Sequence, residues 1–554
     1  MRAEPRRIGK PNFNYDIQEQ PFHVQRTIYQ AVSTGQSLSI HPGIWSVYRA
    51  RIWHVQDGVN NLNYNTLFLD EAINVVIGQD FLQGTFSRNA LTFHFGSYLY
   101  PILSAVINKL AGVTALRLTS TILMCIASAF VYFTARKLFG RKAGLIGAML
   151  FSFNGNILNL GQLAVYDSLA IPFLAISFYF LVAASTSGAN PKRLLLIASI
   201  FATLATLSKY IGLIYLPALF LTALVLFWLK GTSLRKVVTT LSLYFVLPIV
   251  LALGLYAAFT WHELTLVFQE QGFSLAPRWL ITKIIVREIG SILLLALAGL
   301  AMLVGAVALG RSQNTQALFG KEGSQVNWQT IPRTYLPVFI LLLFVLVCAW
   351  LASPLQHWLT SNNRSLWKNC AYSLIFLTPL AGYCVSRTIE FLRSRSLIIV
   401  RVMGMLIICT GVYYFADRTL DSNSSFHQSW PNTEGVIGYL RNNGLNENSR
   451  ILAEEMDVYQ YYFEPALGSH QVWNSFWYME YRGISGQEGA LAAVRDRAVD
   501  FVIIDDYYIP GIRERLNPIL LDAGYVVGWQ EVQNLRSGDT ILVQVFVPGD
   551  GESR

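Results

Sequence analysis

From about residue 95 to residue 416 the chain is a succession of long apolar runs separated by short polar or basic breaks. Nothing else in the sequence restricts folding so severely. A run of ~20 apolar residues is long enough to cross a hydrocarbon core as a helix, and in that medium backbone amides must be satisfied within the segment. Ten such runs stand out, at about 114–134, 143–160, 165–184, 193–208, 210–229, 237–260, 288–310, 334–353, 371–388 and 397–416. Composition agrees: 53% of the residues are hydrophobic and 14% charged, with a mean hydropathy of +0.40. A soluble chain carries about a quarter charged residues. The sequence therefore predicts a polytopic α-helical membrane protein of about 10–11 transmembrane helices.

The net charge of +9 does not point to nucleic acid, because much of it lies in the breaks between runs. "ARKLFGRK", "GANPKR", "KGTSLRK", the stretch from "GRSQNTQALFGKEG" to "IPR", and "SRTIEFLRSRS" fall in every second break. Basic breaks mark the cytoplasmic side. The other side then receives an acidic loop at 67–98, the turn before Asp167, the loop 261–287, the loop 354–370 and everything after 417. The five cysteines lie in or beside apolar runs without metal-ligand spacing, so neither a disulfide framework nor a metal site is expected from them.

Three regions follow: a polar N-terminal segment at 1–66, a transmembrane domain at 67–420 that includes the acidic loop 67–98, and a small external α/β domain at 421–554. The first holds neither a signal-peptide core nor a spanning run. An external acidic loop needs a span before it or a translocated N-terminus, so either that region crosses by an unusual route or a first helix precedes this reading frame. "FGSYLYPILSAVINKLAG" suits an interfacial or re-entrant helix as well as a span. In the last region "SWPNTEGVIGYLRNNG" reads as a helix capped at Asn432 or Thr433 and closed by Gly444. "RILAEE", "VDFVIID" and "DTILVQVFVP" read as strands, and "IPGIRERLNPILLDAG" as a helix despite Pro518.

Several residues are candidates for chemistry. Asp70 and Glu71, in "LDEA", are either first-turn acids favoured by the helix dipole or carboxylates held at the membrane surface, one serving as general base. Asp167 opens an apolar span in "AVYDSLAIPF"; an ionisable group there is costly and suggests function, with a helix-start acid as the plain alternative. Arg117 and Lys209 stand at span ends, where each either snorkels to headgroups or holds a phosphate. The loop 261–287 mixes aromatic, apolar and charged residues, as an interfacial segment or a lid does, with His262 and Glu263 at its start. His94 reads as a packing residue, and Asp505-Asp506 as a solvated strand end rather than a metal pair. No GxGxxG, Walker loop, zinc pattern or nucleophile elbow is present.

The acidic "DEA" stretch followed in order by "YLYPILSAVINKLAGVTALRLTS", "ARKLFGRKAGLIGAMLFSF" and "YDSLAIPFLAISFYFLVA" resembles the GT-C membrane glycosyltransferases. The branch it is most similar to is that of the protein O-mannosyltransferases and the bacterial aminoarabinose lipid A transferases. The resemblance is specific over about residues 64–220. It implies an inverting transfer from a polyprenyl-phosphate-linked sugar, on the external face of a plasma membrane such as a bacterial inner membrane. It further implies that Asp70 activates the acceptor with Glu71 beside it, that Asp167 is a second acid of the site, and that Arg117 contacts the phosphate. Lys209 matches a Lys-Tyr/Phe-x-Gly position to which the resemblance assigns no role. That branch carries a helix before the acidic loop, which this sequence does not show.

The expected partners are the lipid-linked donor, the bilayer, and a protein, lipid or glycan acceptor. A divalent ion bridging carboxylates and phosphate stays open. The rival readings are a transporter or flippase of lipid-linked substrates, which inverted repeats would favour, and a non-catalytic membrane scaffold, which would tolerate loss of Asp70.

Overall fold

A computed structural model of the chain describes residues 66–84, 96–186, 190–261, 263–265, 276–309, 336–363, 365–394, 398–423, 426–467 and 473–549. His94, His262 and most of the polar N-terminal segment lie outside the described residues, as do 266–275 of the expected lid loop. Glu263 is described, in a short helical stretch.

A helix covers each of the ten apolar runs. The expected acidic loop is itself a helix in its first half, α1 (Leu69–Gln83), with Asp70 and Glu71 in its first turn. The long α2 (Leu99–Phe139) contains a non-helical residue, Gly112, at φ 74 and ψ 179, a backbone conformation that a side chain opposes. The Pro-bearing segment before Gly112 is thus helical and leads, through that break, into the first run.

The second run is not a straight span. It is a pair, α3 (Arg141–Ser152) and α4 (Gly155–Gln162), bent by 59°. Asn154 makes the corner, its side chain accepting a hydrogen bond from the Asn156 amide at 3.0 Å. Next come α5 (Asp167–Thr186), α6 (Pro191–Ser208), α7 (Ile211–Leu229) and α8 (Leu234–Phe259), the last with a π turn at Ser242–Val246.

Then α9 (Arg278–Leu309) begins ten residues before the predicted run at 288. The eighth run is α10 (Leu336–Trp350); α11 (Ala352–Thr360), bent from it by 66°, is a helix mostly within the stretch expected as the loop 354–370. α12 (Leu366–Ser394) and α13 (Ile398–Asn423) complete the set. Among the described residues, six helices are by themselves long and apolar enough to cross a membrane, or eight spans if each bent pair is one.

Beyond α13 the chain folds into α14 (Glu434–Asn442), β1 (Ile451–Ala453), α15 (Met456–Leu467), β2 (Trp473–Ser475), a β3–β4 hairpin (Glu480–Tyr481, Ile484–Ser485), α16 (Gly486–Arg495), β5 (Phe501–Ile504), α17 (Ile512–Asp522), β6 (Tyr525–Asn534) and β7 (Thr540–Pro548). The main sheet runs β2-β1-β5-β7-β6, parallel across β2, β1 and β5 and antiparallel beyond. Asp505, expected as a solvated strand end, is buried instead. It meets Glu455 from the end of β1, and Glu455 also accepts from the Tyr459 hydroxyl at 2.5 Å. The neighbouring Glu454 is held by the amides of Asp505, Asp506 and Ile509 at 3.0, 2.7 and 2.8 Å.

This domain packs on α1. Val458, Tyr461 and Tyr462 of α15 meet Leu67 and Ala72. Tyr461 donates its hydroxyl to Asn108 of α2 at 3.0 Å, and Thr66 donates to Asn432 at 2.7 Å. The acidic turn of α1 therefore sits between the helical bundle and the α/β domain.

Candidate active site

Two adjacent acids at the start of α1 have opposite surroundings. Glu71 is buried, and its carboxylate accepts four hydrogen bonds: from Arg117 Nε at 2.9 Å and Nη2 at 2.7 Å, from the Phe68 amide at 3.0 Å and from the Ala164 amide at 2.8 Å. Arg117 also reaches the Thr66 carbonyl at 3.3 Å. A carboxylate with every lone pair occupied and a guanidinium alongside is a rivet joining α1, α2 and the turn before α5. The guanidinium expected at a phosphate faces Glu71 and is 2% exposed.

Asp70 is different. Its side chain is 26% exposed, whereas those of Glu71 and Asp167 are 0% exposed. It forms an ion pair with Lys368, near the start of α12, whose ammonium also lies over the rings of Phe68 at 4.9 Å and Trp367 at 5.6 Å. Lys368 was not picked out by the sequence. The available signal was the one that marked Lys209, a cation at the head of an apolar run.

Asp167, the first residue of α5, accepts from Lys209 Nζ at 2.7 Å and from the Tyr372 hydroxyl at 2.9 Å, both through Oδ1. Its Oδ2 is buried and, among the described residues, has no hydrogen-bond partner. Lys209 sits where α6 ends in extended backbone, φ −150 and ψ 128, and its ammonium also donates to Asn369 Oδ1 at 2.9 Å. Asn369 Nδ2 reaches His357 Nε2 at 2.8 Å, and His357 Nδ1 lies 2.8 Å from the Asn362 carbonyl. A carbonyl only accepts, so the network assigns the imidazole proton to Nδ1 and leaves Nε2 to accept from the amide. The chain Asp167–Lys209–Asn369–His357 holds α5, α6, α12 and α11 in one register.

Lys368, Asn369 and Tyr372 are neighbours on α12, so that helix brings the Asp70 pair and the Asp167 pair together. Asp70, Glu71, Arg117, Asp167 and Lys209 all belong to this cluster. Among the described residues no group of three or more His, Cys, Asp or Glu side chains is arranged to hold a metal ion. A cleft lined by Phe178, Leu226, Leu303, Phe339, Trp350 and Phe376 opens further along α12.

The fold has known counterparts. The family model for dolichyl-phosphate-mannose-protein mannosyltransferases matches residues 95–256, a window that contains Arg117, Asp167 and Lys209. The structure is similar to that of ArnT from Cupriavidus metallidurans bound to undecaprenyl phosphate, with a TM-score of 0.55 at 11% identity over 90% of this chain and 97% of that one. The fold is that of the GT-C membrane glycosyltransferases. The apo state of the same ArnT gives a TM-score of 0.52 at 11% identity, over 90% of this chain and 98% of that one. The Archaeoglobus fulgidus oligosaccharyltransferase in its apo form has a slighter likeness, 0.47 at 12% identity over 86% and 73%. No curated protein matches the chain in sequence. Within this GT-C fold, Asp70, Glu71 and Lys368 lie outside the segment that the family model covers.

Proposed function

We propose that the chain is an inverting glycosyltransferase that moves a hexosyl or pentosyl group from a polyprenyl-phosphate-linked donor to a hydroxyl or amine acceptor. One observation carries this reading: of the three buried or half-buried acids in the cluster, Asp70 alone has a carboxylate face open to a second molecule. Asp70 is the general base. It takes the acceptor proton as the acceptor attacks the anomeric carbon and the bond to the departing phosphate breaks. Glu71 and Arg117 hold the turn that presents it, and Asp167 and Lys209 form the opposite wall.

The lipid donor is supported by the matched family, whose description names a dolichyl-phosphate sugar, and by the undecaprenyl phosphate bound to the similar ArnT. The apolar cleft reaches Phe376, eight residues along α12 from Lys368 and ~12 Å deeper, which suits a hydrocarbon chain.

We assign the site to the external face of a bacterial inner membrane. The α/β domain packs on the helix of Asp70, and the far end of α12 pairs with a basic turn, Lys142 with Glu390 at 3.0 Å. The test is transfer of radiolabelled sugar from a panel of polyprenyl-phosphate sugars into membrane extracts, wild type beside Asp70→Asn. Incorporation lost in a folded, inserted variant supports the reading; equal incorporation by both removes Asp70 from the mechanism.

A further inference from the structure

Of the three ion pairs in the cluster, two are closed. Glu71 has its carboxylate fully occupied, and Lys209 is shared between Asp167 and Asn369 with His357 behind. The third is not. Lys368 has three N–H groups, yet among the described residues it donates to Asp70 alone and otherwise meets only aromatic rings. Its side chain is 3% exposed while that of its partner is 26% exposed, so the pair is buried on one side and open on the other.

This arrangement poses a charge problem. Each acid of the cluster already faces one cation. A donor phosphodiester adds one negative charge, and an ammonium is too costly to leave unpaired in so dry a place. The lysine also occupies the Asp70 oxygen Oδ2, which an incoming acceptor would otherwise reach.

We infer that Lys368 is the cation that receives the donor phosphate, that it does so by releasing Asp70, and that donor binding thereby unmasks the base. The inference rests on the glycosyltransferase reading and adds to it a residue, a movement and an order of events. The charges balance. The acceptor O–H (or N–H) loses its proton to Asp70, which becomes neutral. The acceptor atom bonds to the anomeric carbon. The sugar–phosphate C–O bond breaks with its electron pair going to oxygen, so the diester of charge −1 leaves as a monoester of charge −2 beside Lys368. The donor binds first and the acceptor second, since a free Asp70 exists only after the phosphate has taken the lysine.

The test is equilibrium binding of tritiated undecaprenyl phosphate to the full chain in nanodiscs, with melting temperature as a control for folding. Asp70→Asn frees the ammonium without a donor present and is expected to bind roughly tenfold tighter than wild type while transferring no sugar. Lys368→Met is expected to bind roughly tenfold weaker, and Lys368→Arg to restore binding with donor KM closer to wild type than that of Lys368→Met. Asp70→Asn/Lys368→Met should bind no better than Lys368→Met alone, a coupling that a purely structural lysine would not produce. Equal affinity in wild type and Asp70→Asn, or a gain that survives in the double variant, overturns the exchange while leaving the transferase reading intact. A wild type that neither binds undecaprenyl phosphate nor transfers sugar overturns both.

Discussion

Arg117 grips Glu71 through two hydrogen bonds, Nε to Oε1 at 2.9 Å and Nη2 to Oε2 at 2.7 Å, with both side chains out of solvent. Removing one partner of such a pair strands a buried charge and costs about 3–5 kcal/mol. Arg117→Met and Glu71→Gln are therefore expected to lower the melting temperature of the purified protein and the yield of folded chain. Glu71→Leu combined with Arg117→Met should recover part of the stability, because no charge is left unpaired.

Tyr372 offers a milder probe of the opposite wall. Its hydroxyl is one of two donors to Asp167 Oδ1, and Lys209 remains when it is gone. Tyr372→Phe should cost about 1 kcal/mol of stability and reduce turnover modestly. Asp167→Asn, which leaves Lys209 without its counter-charge, should reduce turnover far more. Sugar transfer by the two variants, each normalised to folded protein, checks the ranking.

The α/β domain should respond to pH. Burial pushes the Glu455 carboxyl up to about 7, with the Glu454 charge adding to the effect. Burial and Glu455 together hold Asp505 well above the usual carboxylate range. Tyr459 donates to Glu455, and Tyr508 lies close by. The folded domain keeps protons that the unfolded chain gives up, so its stability falls as pH rises from about 4.5 through about 7, and on towards about 9 because burial and the Asp505 charge push Glu454 up to that value. Thermal unfolding of the full chain across that range should show the decline. Glu455→Gln should make the decline shallower below about 7, with Glu454 and Asp505 still contributing.

Gly78 lies on α1 where the helix meets α2. A methyl group there would collide with the Pro101 carbonyl and come within 2.7 Å of the Ala105 Cβ. Gly78→Ala should cost about 1–3 kcal/mol by overpacking and, by pushing α1 away from α2, move Asp70 off its partner. A lower melting temperature together with a lower turnover number is the expected result.

Hydropathy located a helix at each of the ten runs because a span must be apolar along its whole length, but α1 and most of α11 lie in stretches expected as loops. It did not show the corners at Asn154 and Leu351, since a window average carries no direction and a bent pair is as apolar as a straight one. In the α/β domain the helix at Glu434–Asn442 and the strands β1, β5 and β7 could be read from turn residues and apolar clusters. β2 and α15 were not, being short or flanked by weak signals.

Asp70, Glu71, Arg117, Asp167 and Lys209 of the candidate site were legible as candidates, but Lys368 and the pairings were not. Lys368 meets Asp70 across 298 positions, a contact set by how α12 packs rather than by any spacing in the chain. Arg117 shows the same limit from the other side. A cation at a span end looks the same in sequence whether it faces a phosphate or a buried glutamate.

α12 carries Lys368 near one end, and near the other Glu390, which Arg387 and Lys142 hold at 2.9 and 3.0 Å. The 22 residues between them rise ~33 Å, close to the ~30 Å of a hydrocarbon core. α12 is thus a ruler between the two clusters, although it is not among the helices counted above as long and apolar enough to cross a membrane by themselves. In a thinner membrane the bundle must tilt or draw the lipid up around it, because the distance from Lys368 to the basic anchor is fixed by covalent rise. Under the proposed transferase reading, hydrophobic mismatch becomes a variable of turnover, and the lipid that surrounds the protein sets the height at which a sugar can change hands.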